Sequence, residues 1–348
     1  MSAVYSGLYH FWHDRSDSCR ALAKAMADKA LELNPELRWA HSALGLYYYW
    51  CFRDYEKALQ EYDIAWKGNK NNNEYLFKTH LLLRRQGKWE EAYARAKRVV
   101  ELEPKWVLCK YELGNTCWHM RKYEEAEQLL DQVISLAPDF FQAYEIKAQL
   151  YVEWKGDTKK AREVIQQSVG KVDTTRWRFT DVWLDLLDGN YRQALSKVTI
   201  PPYDSAGYYF QRGQLYKLMG EFELMQAYFD SSATALESLV QKDPENARAY
   251  ALLGVAYAGL GRKEEAIRAG KRAMEIMPLS KDAMDGYPLL DYMVQIFILV
   301  DELDLAMGQL ELMLSVPGGF GLAEVLIDPD YAALRDHPRF KRLLEEGK

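Results

Sequence analysis

Apolar residues recur at helical spacing through the stretch 105–138. Its second half carries an apolar stripe at positions i, i+3, i+4 and i+7 that starts at Ala126 and is typical of one buried helix face. Gly114 and Ala126 are small residues where two helix backbones would cross, and Pro138 ends the second helix because proline cannot continue it. The stretch therefore predicts an antiparallel helix hairpin, which needs neighbours to cover both of its apolar sides.

The same pattern returns at a fixed interval along the chain. Pro104 and Pro138 are 34 residues apart, and so are Pro244 and Pro278. A unit of this length resembles the tetratricopeptide repeat, which has an aromatic residue and Leu-Gly on its first helix and small residues on its second. We therefore expect a chain of stacked helix hairpins.

The resemblance covers nearly the whole chain and is clearest in residues 38–70 and 247–278. It implies an all-α fold, a right-handed α-solenoid superhelix of about eight or nine helix hairpins with a C-terminal helical cap. The pair Pro201-Pro202 cuts one hairpin short, which indicates a bend or a boundary. We predict three parts: an N-terminal subarray over residues 1–203, a C-terminal subarray over 204–316 and a capping tail over 317–348.

The tail has its own signature. Residues 328–344, DPDYAALRDHPRFKRLL, resemble the end segment of bacterial tetratricopeptide arrays attached to signalling proteins such as an adenylate cyclase, a serine/threonine kinase or a transcriptional regulator. The glycine-rich stretch 318–321 before it is expected to be a flexible connector. The aromatic-rich start of the chain has no capping segment before it, so we expect residue 1 to lie inside a longer parent protein.

Composition and charge narrow the class of protein. The chain of 348 residues has a net charge of −6 and a pI of about 5.7, which argues against nucleic acid as a direct partner. Its apolar runs are too short to span a bilayer. The four cysteines lie inside helical patterns and form no CxxC motif, so we expect reduced core thiols and a cytoplasmic location.

Motifs for chemistry are absent from the sequence. Phosphate-binding, zinc-protease, nucleophile-elbow and calcium-loop patterns do not occur. His10 and His13 could share a helix face near Asp14, but two histidines fall short of the four closely spaced ligands typical of structural metal sites. We predict a non-catalytic protein with no cofactor and no metal. A self-associating structural module is the alternative, and an enzyme with an unrecognised site is the third reading.

The family resemblance implies a concave groove, lined by the first helix of each hairpin, that binds a protein or peptide partner. Aromatic residues are frequent at the positions that point inward, which suits peptide anchors, although packing between neighbouring helices would explain them as well. The inward positions predicted for the groove are Trp39, Tyr49, Trp50, Phe77, Leu81, Arg84, Arg85, Tyr111, Asn115, Trp118, His119, Glu145, Gln149, Phe179, Trp183, Phe210, Gln214 and Lys217.

Arg84, Arg85 and Asn115 form the most specific hypothesis within that set. Some family members hold a peptide's terminal carboxylate with basic and amide side chains at similar positions, and a guanidinium fork suits a carboxylate. The chain lacks the full lysine-and-asparagine set of those members. The alternative is that both arginines are solvated residues at a turn.

Overall fold

A computed structural model describes residues 1–10, 16–199 and 204–346, and within these ranges all regular structure is helical. The chain separates into two compact units, Met1–Thr116 and Cys117–Lys348. Each unit stacks antiparallel helix pairs, which confirms the predicted all-α solenoid class. Residues 11–15 and 200–203 lie outside the described part. They include the metal candidates His13 and Asp14 and the pair Pro201-Pro202, and the boundary predicted at 203–204 falls at their edge. That boundary stays a prediction.

The first unit is built from α1 to α6 and most of α7. The helices are α1 (Ser2–His10), α2 (Asp17–Leu33), α3 (Arg38–Tyr47), α4 (Tyr55–Ala65), α5 (Asn73–Arg85), α6 (Trp89–Leu102) and α7 (Val107–His119).

The second unit holds the end of α7 and all later helices. These are α8 (Tyr123–Leu136), α9 (Phe141–Lys155), α10 (Thr158–Ser168), α11 (Arg178–Leu187), α12 (Tyr191–Lys197), α13 (Ser205–Leu218), α14 (Phe222–Lys242), α15 (Ala247–Gly259), α16 (Lys263–Ile276), α17 (Tyr287–Leu299), α18 (Leu303–Ser315), α19 (Leu322–Ile327) and α20 (Pro338–Glu346). A 3₁₀ turn, Thr174–Trp177, precedes α11, and a second, Pro329–Leu334, links α19 to α20.

Among the described residues, the turns between paired helices each contain one residue with left-handed backbone geometry. Glycine adopts this geometry at little cost, whereas other residues are strained by their β-carbon. The turn residues with positive φ are Arg53, Gly87, Arg121, Gly156, Gly189, Gly220, Gly261 and Asp301, and the first three follow one another at intervals of 34 residues. The repeat is therefore visible in the backbone as well as in the sequence.

Small residues let the two helices of a hairpin approach closely. In α3, a β-carbon added to Gly45 would overlap the ring of Tyr62 on α4. In α13, one added to Gly213 would lie 2.7 Å from the ring of Phe229 on α14. A large aromatic side chain of the second helix thus packs directly on the backbone of the first, which fills the core at native density.

The end of α3 departs from α-helical geometry. Tyr48–Phe52 forms one π-helical turn, and Arg53 then ends the helix with φ of 53°. A π turn inserts one residue and rotates the side chains that follow it. Tyr49 is accordingly buried with Tyr55 and Tyr62 rather than placed on the inner surface.

Helix α14 spans 21 residues, whereas the preceding helix α13 spans 14 and the later helix α16 also spans 14. Its second half, with Glu237 and Val240, forms one wall of an open cavity of about 860 Å³ whose floor is Tyr250 and Tyr257 of α15. The extra length follows from the wide gap between the turn at Gly220 and the proline that ends the unit.

The C-terminal tail packs as part of the second unit. Val325, Tyr331, Leu334 and Phe340 are fully buried in the same core as α17 and α18. Arg339 of α20 also pairs with Glu311 of α18. The predicted helical cap is therefore present.

Two further findings concern the cysteines and the length and polarity of the helices. All four cysteines are buried thiols. In the ranges that the structure describes, every helix is too short or too polar to cross a bilayer.

Candidate functional site

The most exposed aromatic residue among the predicted groove positions of the first unit is Trp39. Its side chain is 55% exposed on the first turn of α3, and the Arg38 guanidinium lies 4.5 Å from its ring centroid. Trp39 lines a cavity of about 420 Å³ together with Ala43 and Leu46 of the same helix face and Met26 of α2. An apolar cavity of this size with an exposed tryptophan at its edge is suited to hold one large side chain.

The other predicted groove residues of this unit are mostly half-buried: Trp50, Phe77, Leu81, Arg85, Tyr111 and Asn115. Phe77 packs on Trp106, with 5.0 Å between ring centroids. Tyr49 is buried, for the reason given above. An aromatic ring at these positions therefore contributes to the packing between helices, in addition to any binding surface that it lines.

Arg84 occupies neither of the two environments that the sequence suggested. It is buried, and its guanidinium pairs with Glu112 of α7 at 2.9 Å and donates to the Thr116 hydroxyl at 3.4 Å. The charge of Arg84 is therefore already neutralised by Glu112. The prediction of a free anion-binding pocket and the prediction of a solvated turn residue are both wrong for Arg84. A buried pair is expensive to break because the remaining charge would have no partner.

Asn115 lies one turn along α7 from Glu112. Its carboxamide oxygen is inaccessible to water and accepts no hydrogen bond from the described residues. A buried acceptor without a donor costs free energy, and because this oxygen is covered, a bound segment cannot reach it in this conformation.

In the second unit the predicted positions divide between surface and core. Phe179 of α11 is 66% exposed, whereas Phe210 of α13 is buried against Phe229. Glu145, Gln149 and Trp183 are half-buried, and burial raises the pKa of Glu145. Phe210 is therefore a core residue and not part of a binding surface.

The remaining four predicted positions contact other parts of their own chain. Gln214 donates to Gln295 of α17, and Lys217 pairs with Asp330 of the tail at 2.5 Å. Trp118 donates its indole N–H to Glu153 of α9, and the main-chain carbonyl of His119 accepts from Gly318 at 2.8 Å. These four positions of the predicted groove are thus covered by other segments of the same chain.

Trp118 and His119 lie against the segment 316–324, which we call the C-terminal loop. Arg121, the turn residue after α7, holds this loop with two main-chain hydrogen bonds and the end of α18 with a third. Its Nε donates to the Phe320 carbonyl at 3.1 Å and its Nη1 to that of Val316 at 3.0 Å. Its Nη2 donates to the Met313 carbonyl at 3.3 Å, at the end of α18. The positive charge also suits the C-terminus of that helix.

Three glycines of the C-terminal loop are buried where no other side chain fits. A β-carbon on Gly318 would overlap the Tyr287 ring, and one on Gly319 would lie 2.6 Å from the Trp118 ring. A β-carbon on Gly321 would overlap the main-chain carbonyl of Glu153. The flexible connector predicted for 318–321 is therefore wrong: glycine is present here for close approach, not for freedom of movement.

Four buried carboxyl groups lie in the loop or interact electrostatically with one another around it. Burial raises the pKa of Glu153 of α9 well above its ordinary value, although Trp118 and Arg121 oppose the shift. Burial, reinforced by the neighbouring Glu153, likewise raises the pKa of Glu324. Burial also raises the pKa of Asp328 to about 8 and that of Asp291 to about 6. Burial disfavours the charged forms of all four groups, and Asp328 therefore holds its proton over part of the neutral range.

Arg121 is not among the residues predicted from the sequence. Five of the eight equivalent turn positions carry glycine, so an arginine there was the available signal, and the structure shows that it keeps the same left-handed backbone with φ of 56°. A residue that tolerates this strain is a candidate for a role of its side chain. Glu153 and Glu324 carried no comparable signal.

Comparisons with known proteins agree on the kind of repeat. Models of the tetratricopeptide repeat match residues 83–150 and 204–278. The tetratricopeptide repeat-containing protein trd-1 of Caenorhabditis elegans is 31% identical over 90 residues, which are 26% of this chain and 11% of that protein. The chain therefore spans about a tenth of the length of this curated relative.

Among solved structures, yeast Tom70 has a similar fold, with a TM-score of 0.52 and 12% identity over 95% of this chain and 63% of that one. A tetratricopeptide repeat protein from Parabacteroides merdae is 18% identical over 84% of this chain and 98% of its own, with a TM-score of 0.42.

Proposed function

Because this chain is built from tetratricopeptide repeats, which generally mediate protein–protein interactions, we propose that it is a protein-binding scaffold. Its partner segment docks on the inner helices α3, α5 and α7 of the first unit, with a large side chain in the cavity beside Trp39. The observation that carries this proposal is the exposed Trp39 at the edge of an apolar cavity of about 420 Å³. Tryptophan is the residue type most often found at the energetic centre of interfaces.

Arg84 supports the same surface as a structural residue, because its pair with Glu112 joins α5 to α7 within the first unit. The partner therefore does not need a terminal carboxylate.

The test is a selection from a displayed library of random peptides on the full chain, followed by affinity measurements with the selected peptides. Trp39→Ala is expected to weaken binding by about 30-fold, which corresponds to a hot-spot loss of about 2 kcal/mol. Phe222→Ala is the matched control, because Phe222 is an aromatic residue 66% exposed in the second unit. Equal affinities of Trp39→Ala, Phe222→Ala and the unmodified chain would reject the proposed site.

We also propose that the scaffold works in the cytoplasm, within a larger bacterial signalling protein. The similarity of residues 328–344 to the end segments of such arrays supports this context, and the buried thiols suit a reducing compartment. Sequencing the coding region upstream of residue 1 tests it. A reading frame that starts at residue 1 with no signalling module in it would contradict the proposal.

A further inference from the structure

The C-terminal loop is bound in the way that a peptide ligand is bound. Its backbone has extended dihedral angles at Val316 (φ −105°, ψ 153°) and Gly321 (φ −115°, ψ 155°), and the chain bends over residues 316–319 between them. Arg121 and the His119 carbonyl contact its main chain rather than its side chains. In recognition of this kind, main-chain hydrogen bonds provide the affinity and a few side-chain positions provide the specificity.

We propose that the surface of the second unit around Trp118, Arg121 and Glu153 is a binding site for a bent, glycine-containing peptide segment. The C-terminal loop is its intramolecular occupant, and a partner segment of the same chemistry displaces it. This site is separate from the one proposed beside Trp39, so the failure of either proposal leaves the other standing.

The contacts define the ligand chemistry. Two adjacent residues must be glycine, because Tyr287 and Trp118 leave no room for a β-carbon at positions 318 and 319. An aromatic residue follows, since the Phe320 ring packs on Tyr331 with 5.5 Å between centroids. The fourth position is again glycine, against the Glu153 main chain. The site therefore selects a Gly-Gly-aromatic-Gly segment.

The loop can leave without unfolding the unit because its two ends are anchored independently. On one side, Leu310 and Met313 of α18 are fully buried. On the other, Val325 and Tyr331 are fully buried in the same core. A tethered loop competes at an effective concentration of about 1 mM, so a free peptide binds the unmodified chain weakly.

Gly321→Ala expels the loop selectively. The φ of −115° at Gly321 suits any residue, so the change costs nothing in the free loop. Only the docked loop suffers, because the new methyl group overlaps the Glu153 carbonyl. Gly308→Ala is the matched control, since the nearest atom to its new β-carbon is 3.8 Å away on Arg339.

The probe is a fluorescent synthetic peptide of residues 314–325, titrated into each full-length chain. We expect the Gly321→Ala chain to bind it at least about tenfold more tightly than the unmodified and Gly308→Ala chains, because the tethered competitor is gone. A probe with alanine at the position of Gly319 is expected not to bind. Adding Arg121→Ala to the Gly321→Ala chain is expected to abolish binding.

Amide hydrogen exchange of the unmodified chain gives a second test that needs no variant. Opening of the loop alone predicts that the Gly318 and Gly319 amides exchange at least about 100-fold faster than those of Val294 and Ile296 in α17. Exchange of both sets at one rate would overturn the proposal, because the loop would then open only when the unit unfolds. Equal probe affinities of all chains, or a wild-type dimer that exchanges loops, would also overturn it.

Discussion

The guanidinium of Arg121 donates a hydrogen bond of 3.1 Å to the carbonyl of Phe320, a residue 199 positions later in the chain. This contact joins the first hairpin turn of the second unit to the segment that follows its last hairpin. It depends on a turn residue that keeps the left-handed backbone usually given to glycine. One side chain thus links the two ends of the unit, and its removal has consequences for stability that can be measured.

Arg121→Gly is expected to lower the free energy of unfolding of the second unit by about 3.5 kcal/mol. Glycine relieves the backbone strain of the positive φ, a gain of about 1 kcal/mol. The same change removes three hydrogen bonds from a charged group to main-chain carbonyls, each worth about 1.5 kcal/mol or more in such a setting. Urea denaturation followed by circular dichroism measures the difference.

Asp301→Gly separates these two effects. Asp301 occupies the equivalent turn between α17 and α18 with φ of 60°, and its side chain is exposed. The change is expected to be neutral or to stabilise the unit by about 0.5 kcal/mol, because only strain is removed. If both glycine variants had the same stability, the hydrogen bonds of Arg121 would contribute nothing.

The second unit is expected to lose stability as the pH rises. Asp291, Asp328, Glu153 and Glu324 have pKa values raised above their ordinary values near 4, mainly because they are buried. Such a group stabilises the fold fully below its ordinary pKa, and the contribution is lost as the pH rises through the folded value. The pKa of Asp291 is about 6 and that of Asp328 about 8, so the loss begins near the ordinary pKa of about 4 and is complete near pH 8.

Amide protection of α17, corrected for intrinsic exchange rates, measures this loss. We expect a decrease of at least about 2 kcal/mol across that range, since one pKa unit corresponds to about 1.4 kcal/mol. The neighbouring charges act in both directions, with Lys217 and Arg121 favouring ionised carboxylates and Asp330 opposing them. Asp328→Asn is expected to flatten the upper part of the profile. A flat profile in the unmodified chain would contradict the assignment of buried protonated carboxyls.

The first unit is expected to behave in the opposite way, because of His80. Burial lowers the pKa of this imidazole to about 3, and the nearby charges of Arg84 and Arg95 lower it further. A base with a lowered pKa stabilises the fold above its ordinary pKa of 6.5, and the contribution is lost as the pH falls toward 3. Amide protection of α5 should therefore decrease below pH 6.

His80→Gln provides the comparison for that experiment. The variant is expected to be less stable than the unmodified chain at pH 7. Because glutamine is of similar size and does not titrate, the stability of the variant is also expected to depend less steeply on acid below pH 6. Parallel acid profiles of the two chains would show that other groups cause the loss.

The sequence was sufficient for the repeats but not for the contacts between distant parts of the chain. The hairpin around Gly114 and Ala126 could be predicted because small residues and a terminal proline return with the period of one repeat. The position of Tyr49 could not, because it depends on a π-helical turn that rotates the end of α3. Local patterns carry no information about an inserted residue of this kind.

The glycine-rich stretch after α18 shows the same limit. In sequence, glycines at 318, 319 and 321 indicate a flexible segment. Their actual role depends on Tyr287, Trp118 and Glu153, which approach from three different helices or turns. Likewise, the buried charge of Arg84 depends on Glu112 from the next hairpin. Each of these features is a property of the tertiary structure alone.

The length of α14 has a consequence for how this protein can change over evolution. Its seven residues beyond the length of α16 extend about 10 Å at the rise of an α-helix, and its second half borders the cavity beside Tyr250 and Tyr257. Arg121, Trp118 and the C-terminal loop are absent from the lining of that cavity. Insertions or deletions of whole helical turns in α14 can therefore change the shape of this cavity while the contacts between Arg121 and the C-terminal loop are preserved.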